Sequence, residues 1–319
     1  MELPTDINLD EKSSDIIDTV IVGAGLAGLY MLHSLRKHNI SARVLEASDD
    51  VGGAWYWNRY PGARCDVESM QYSYSFSEEL QQEWQWKELY ASQPEILRYI
   101  NYVADKFDLR RNIQFKTRVI TAVFNESLSH WEIETEHGER FRARFCIMAT
   151  GCLSSPYMPS IPGLDDFKGK YYHTARWPHE AVDFTDRRVA VLGTGPSGIQ
   201  SIPFIAKQAS QVFVFQRTAN FSIPARNTPL DQEYERLWKS DYAEQRRKMR
   251  ESTFGILFKD TKDCSAISLQ PDERLEEYEL RWQIGGFGFL ASFNDLVINK
   301  ESNDTAADFV RSKRSEDVV

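Results

Sequence analysis

The sequence predicts an α/β protein made of two Rossmann-like dinucleotide-binding domains, joined by linkers and carrying a helical insertion. Three observations lead there. A β-branched run, a glycine turn, a leucine-periodic stretch and a second apolar run follow one another in "TVIVGAGLAGLYMLHSLRKHNISARVLEA". The same layout returns in "RRVAVLGTGPSGIQSIPFIAKQASQVFVFQRT". Beyond Asp231 the chain turns charged and helix-prone to about Trp282, in the manner of an insertion. The long spacing between the copies fits two βαβ units and not a solenoid.

In the first copy, Thr19–Val22 is the opening strand and Ala42–Leu45 the second. Leu26, Leu29, Leu32 and Leu35 recur at helical spacing between them. After a loop rich in Gly, Trp and Tyr, "SQPEILRYINYVADKF" predicts a helix. Ser92 and Glu95 form its capping box, and Ile96, Ile100, Val103 and Phe107 share one face. Short strands are expected around Arg118–Phe124, Trp131–Thr135 and Phe141–Met148. The end, "NDTAADFVRSKRSEDVV", reads as a helix with no returning strand. The expected division is a first nucleotide-binding domain over 1–151, a linker over 152–187 and a second over 188–319. The insertion occupies about 231–282 of the second, which is incomplete at its C-terminal end.

With 42% hydrophobic and 27% charged residues over 319 positions, the composition is that of a soluble globular protein. A net charge of −9 argues against a nucleic-acid surface. The acidic opening segment, "MELPTDINLDEKSSDIID", has no apolar core and is not a secretory signal. The longest apolar run, Val20 to Leu32, is broken by glycines and falls short of the ~20 residues of a membrane span. Cys65, Cys146, Cys152 and Cys264 form neither a C-x-x-C pair nor zinc-ligand spacing, which predicts a reduced, cytoplasmic setting and no metal site. The missing C-x-x-C also excludes a disulfide reductase on the same fold.

Both glycine turns are G-x-G-x-x-G, placed after a strand and opening a helix. Such a turn lets the backbone approach a pyrophosphate, with the helix N-terminus facing the anion. In the first (Gly23, Gly25, Ala27, Gly28), Glu46 ends the next strand, where an acid about 20 residues on bonds ribose hydroxyls. In the second (Gly193, Thr194, Gly195, Pro196, Ser197, Gly198), the corresponding strand ends at Gln216, followed by Arg217. A guanidinium there pairs with a 2′-phosphate and selects NADPH over NADH. Pro196 suits the first turn of a helix. Two sites of unlike preference suggest a flavin enzyme reduced by NADPH, with FAD on the first turn. The strand "CIMATG", Cys146 to Gly151, resembles the piece that returns to the flavin sheet in such flavoproteins.

Two further motifs are more specific. Phe167, Gly169, His173, Trp177 and Pro178 satisfy F-x-G-x-x-x-H-x-x-x-W-P. Gly53, Trp55, Tyr60, Pro61, Gly62 and Asp66 satisfy G-x-W-x-x-x-x-Y-P-G-x-x-x-D. With "QRTANFSIPARN" and the 92–107 segment, the chain from about residue 18 onward resembles the type I Baeyer–Villiger monooxygenases, flavin enzymes that convert ketones to esters or lactones. The resemblance implies FAD and NADPH as cofactors, ketone and dioxygen as substrates, and a flavin peroxide as the attacking species. It implies that Asp66 lies beside the flavin and orients an arginine, and that Arg64 and Cys65 touch NADP. Gly53, Ala54, Trp55, Tyr56 and Trp57 would line the flavin, with Tyr72 and Val119 as further contacts. Thr194 to Gln200, including Ile199, would grip NADPH together with Arg217 and Thr218. His173 could serve as acid or base, or as a linker anchor that bonds backbone.

The family pattern continues well past residue 319 with the arginine that Asp66 would orient, a second Ala-Thr-Gly strand and more of the substrate pocket. A C-terminally truncated member is therefore expected. A related flavin monooxygenase acting on sulfides or amines is an alternative, against which Trp177-Pro178 argues. An inactive nucleotide-binding remnant is another.

Overall fold

The computed structural model describes residues 16–153, 155–258 and 261–316, with backbone alone for 314–316. The opening stretch to residue 15, most of the acidic segment expected not to be a secretory signal, lies outside the described residues. Two compact units divide the chain: Met1–Asn58 with Leu97–Arg176, and Arg59–Ile96 with Trp177–Val319. Among the described residues no helix is long and apolar enough to cross a membrane.

The first unit is built on β1 (Ile17–Val22), α1 (Leu26–Lys37) and β2 (Ala42–Leu45), the expected βαβ unit. The short α2 (Ala54–Trp57) follows. Its sheet adds β3 (Ile113–Gln114), β4 (Val119–Asn125), β5 (His130–Thr135) and β6 (Arg140–Met148) in the order β3-β2-β1-β6-β5-β4. Pairing is parallel from β3 to β6 and antiparallel across β6, β5 and β4. The central strand β1 ends in a continuous apolar run, Val20, Ile21 and Val22, that is buried between β2 and β6. Val20, Val22, Leu45, Ile133 and Ala143 form one core cluster, and Leu29 and Leu32 of α1 are buried. The helix expected over 92–107 is α4 (Gln93–Lys106), preceded in the chain by α3 (Glu78–Glu83). Ile96, Ile100 and Val103 are at most 1% exposed, which is the predicted face.

The second unit repeats the pattern with β7 (Arg188–Leu192), α5 (Pro196–Ala206) and β8 (Gln211–Phe215), its two strands parallel. The insertion supplies α6 (Gln232–Ser240), α7 (Tyr242–Glu251) and α8 (Pro271–Ile284), and α9 (Lys300–Glu316) ends the described chain. Asp231 accepts the N–H of Tyr234 and so caps α6. Tyr278 sits at the centre of an aromatic cluster, 5.6 Å from Phe289, 5.5 Å from Phe309 and 5.4 Å from Phe293 between ring centres. Offset and edge-on rings at this spacing bury large area with favourable quadrupole contacts. Met148, Leu192 and Phe215, at or near the ends of β6, β7 and β8, remain exposed.

Candidate functional site

In the first unit the glycine turn joins β1 to α1. A side chain on Gly28 would place its Cβ 1.9 Å from the carbonyl oxygen of Gly23, so α1 can sit this close to the strand only with glycine. Gly25 and Gly53 meet backbone to backbone: a Cβ built on Gly53, whose φ is +55°, would lie 2.8 Å from the Gly25 Cα. Gly53 is thereby packed onto the first turn. The first turn of α1 carries no acidic side chain, and Ala27 on it is exposed, which leaves the helix start suited to an anion. β6 lies parallel to β1 with Met148 beside Val22, which brings the Ala-Thr-Gly segment to the same end of the sheet.

Glu46 is 5% exposed. One carboxylate oxygen accepts the backbone N–H of Ala24 at 2.5 Å; the other accepts the N–H and the hydroxyl of Ser48, both at 2.8 Å. The acid after β2 is therefore wired into the glycine turn itself. Thr117, two residues before Val119, donates its N–H to the Glu46 carbonyl at 2.8 Å. The Val119 side chain packs against the core cluster at the start of β4.

α2 presents Ala54, Trp55, Tyr56 and Trp57. Tyr56 is buried and donates its hydroxyl to Asp49 at 2.6 Å. The Arg176 guanidinium lies 5.2 Å from the centre of the Trp57 ring, a cation–π contact. His173 accepts the N–H of Ala175 on Nδ1 at 3.2 Å, and its carbonyl accepts from Arg176 at 2.9 Å. These bonds close the short 3₁₀ turn Thr174–Arg176.

The second unit carries the other turn. Gly193 donates its N–H to the Phe215 carbonyl at 2.8 Å, and the Gln216 amide donates to the Thr194 hydroxyl at 2.7 Å. Gly195 caps α5, Pro196 is its first residue, and Ile199 bonds back to the Gly195 carbonyl. Ser197 and Gly198 lie half-buried in the first turn; Arg217 and Thr218 are exposed beyond β8.

Gln200 on α5 gathers the loop that carries Asp66. Its amide oxygen accepts from the Tyr60 hydroxyl at 2.9 Å and the Arg64 N–H at 3.3 Å. Its amide nitrogen donates to the Arg64 carbonyl at 3.2 Å and to the Asp66 carboxylate at 3.0 Å. The surrounding protein withdraws water from the Asp66 carboxyl and pushes its pKa up, against the opposing pull of the Gln200 bond and the Arg64 charge. Cys65 next to it is buried, and burial pushes its thiol up to about 11, so it is a neutral thiol at neutral pH. Tyr72 is half-buried, its N–H on the Glu68 carbonyl at 3.1 Å. Arg64, Asp66 and Gln200 thus form one cluster, and Gly25, Glu46 and Gly53 another.

Ser48, Tyr60 as a Gln200 partner, and Arg176 under the Trp57 ring are additions to the predicted residues. Ser48 stands two residues after the acid, the spacing at which a hydroxyl bonds a neighbouring group locally. The other two contacts carry no local signal.

A flavin-binding monooxygenase-like family model matches residues 18–234. A Baeyer–Villiger monooxygenase of Pseudooceanicola batsensis is 41% identical over 299 residues, 93% of this chain and 54% of the relative. A phenazine N-monooxygenase of Lysobacter antibioticus is 39% identical over 299 residues, 93% of this chain and 55% of the relative. The solved structure of an oxidized steroid monooxygenase bound to NADP is 53% identical and superposes with a TM-score of 0.88, over 94% of this chain and 57% of that one. The chain spans about half the length of the curated relatives it matches.

Proposed function

We propose, for a chain that belongs to the flavin-binding monooxygenase-like family, that it holds FAD on the Gly23–Gly28 turn and NADPH on the Gly193–Gly198 turn of a Baeyer–Villiger monooxygenase. The observation that carries this is the pair of unlike turns: a buried acid, Glu46, bonded into the first, and an exposed cation, Arg217, after the second. The residues present fit the cofactors. Gly28, Gly25 and Gly53 pack backbone on backbone, so the chain can lie close to a pyrophosphate at the first turn. Glu46 uses three of about four acceptor positions and keeps one for a ribose hydroxyl. When bound, FAD with NADPH supplies the reducing power and oxygen activation needed to insert one oxygen atom of dioxygen beside a ketone carbonyl, giving an ester or lactone.

Trp55, Tyr56 and Trp57 then wall the flavin, with Trp57 held by Arg176. Asp66, steadied by Gln200, orients a cation toward the charge that builds on the attacked carbonyl. Arg64 and Cys65 contact NADP from the same loop, and Ser197, Ile199 and Thr218 complete its grip. His173 anchors the linker locally: its ring nitrogen and its carbonyl close the Thr174–Arg176 turn. A small ketone is the organic substrate. The free cysteines fit a cytoplasmic setting. The relative named as an N-monooxygenase favours a second reading, oxidation at nitrogen or sulfur, against which Trp177-Pro178 argues.

One experiment tests both the cofactor preference and the reaction. The FAD-loaded chain is given NADPH or NADH in air with an aryl ketone or a sulfide. Flavin reduction faster with NADPH is expected of this chain, and ester from the ketone once the arginine that the family pattern places past residue 319 is supplied. Arg217→Ala should raise the NADPH KM about tenfold and leave the NADH value unchanged, the scale of one charge-assisted pair. Sulfoxide without ester selects the second reading. Indifference of the wild type to the 2′-phosphate overturns the role of Arg217.

A further inference from the structure

The segment that carries Asp66 and Tyr72 is gripped by side chains of the insertion. Residues 68–72 make a single helical turn, in which the N–H groups of Gln71 and Tyr72 bond the Glu68 carbonyl. Such a turn ends in carbonyls without a partner in the turn itself. Arg246 on α7, 7% exposed, meets them: its guanidinium donates to the Gln71 carbonyl at 2.8 Å, the Met70 carbonyl at 3.3 Å, the Ser73 hydroxyl at 2.6 Å and the Gln81 amide oxygen at 3.2 Å. Two more links run the same way. The Gln71 amide pairs with the Leu257 backbone in both directions, at 3.1 and 2.7 Å, and the Tyr234 hydroxyl of α6 donates to the Glu68 carboxylate. Gln200 of α5 holds the other end of the stretch, at Tyr60, Arg64 and Asp66.

We infer that Arg246 is a positioning residue: from the insertion it fixes the 66–73 segment and so sets the affinity for NADP. This rests on the proposed contact of Arg64 and Cys65 with that cofactor. The guanidinium is suited to the task by its flat fork, which reaches two carbonyls and a hydroxyl at once. An ammonium is a single point charge and reproduces only part of that set. The cation at the carbonyl end of the turn also opposes the turn's dipole.

Hydrogen exchange and NADP⁺ titration on the full chain test the inference, with Arg246→Met, Arg246→Lys and Ser73→Ala. Arg246→Met should speed amide exchange in residues 64–73 about tenfold and weaken NADP⁺ about tenfold, the scale of a lost charged bond in a buried site. Exchange in the Tyr278–Phe309 cluster should not change. Arg246→Lys should recover part of both effects, and Ser73→Ala should show a smaller shift in the same direction. If Arg246→Met does not fold, the other two variants decide. Unchanged exchange at 64–73, or exchange raised equally across α8 and α9, overturns the inference. So does wild-type NADP⁺ affinity in variants whose 64–73 exchange has risen. A wild type that cannot bind NADP⁺ sinks the cofactor reading instead, and exchange alone then decides whether Arg246 holds the segment.

Discussion

Gly28→Ala is expected to abolish flavin retention and to lower the melting temperature further than Gly198→Ala does. The added methyl at residue 28 would lie 1.9 Å from the Gly23 carbonyl oxygen and 3.0 Å from its carbon, both backbone atoms of the turn that is to receive the pyrophosphate. No side chain can rotate away to make room. Helix α1 has to lift from β1, which removes Leu29 and Leu32 from their packing. An overpacked core position of this kind costs about 3 kcal/mol, roughly 10 °C in a unit of this size. At Gly198 the equivalent methyl would lie 2.5 Å from the Gly193 carbonyl oxygen, and a smaller shift relieves it. Melting curves of the two variants, each with and without FAD, make the comparison. If Gly28→Ala melts with the wild type and stays yellow, α1 does not pack on the strand as described.

Glu46→Ala should cost about 3 kcal/mol before any cofactor is added, because the buried N–H groups of Ala24 and Ser48 each lose an acceptor. Glu46→Gln should cost less. Its oxygen can serve the Ser48 pair, but its NH₂ then faces the Ala24 N–H, donor against donor. Both variants should lose FAD, since the acceptor kept for the ribose is lost or reversed. Urea unfolding of apo protein separates the structural cost from the loss of binding. Wild-type stability in Glu46→Ala would mean that the acid serves the ribose alone and does not brace the turn.

Much of this architecture was legible from residue patterns. The two strand–turn–helix–strand units announce themselves because glycine spacing, β-branched runs and helix-spaced apolar residues, leucines in the first and Ile199, Ile202 and Ile205 in the second, agree over each one. The helix over 93–106 was legible from the apolar face formed by Ile96, Ile100 and Val103. β3 was not: it has two residues, and it is a strand only because Ile113 and Gln114 pair with Val44 and Leu45. In the site, Glu46 and Arg217 were legible as residues at the ends of strands. That Glu46 turns back onto Ala24 was not, because the same carboxylate satisfies either a ribose or a backbone N–H. Arg246 sits in "AEQRRKMRE", which reads as a solvated helix face. Its burial comes from contacts 173 to 176 residues away, at Ser73, Gln71 and Met70, and no local pattern encodes them.

The most direct test of two cofactor sites in this chain is the absorbance spectrum of the purified protein, saturated with FAD, cleared of free flavin and then given NADPH. Bound flavin that bleaches on addition of NADPH, and far less with NADH, is the expected result. A cooperatively folded protein that stays colourless after FAD loading contradicts it.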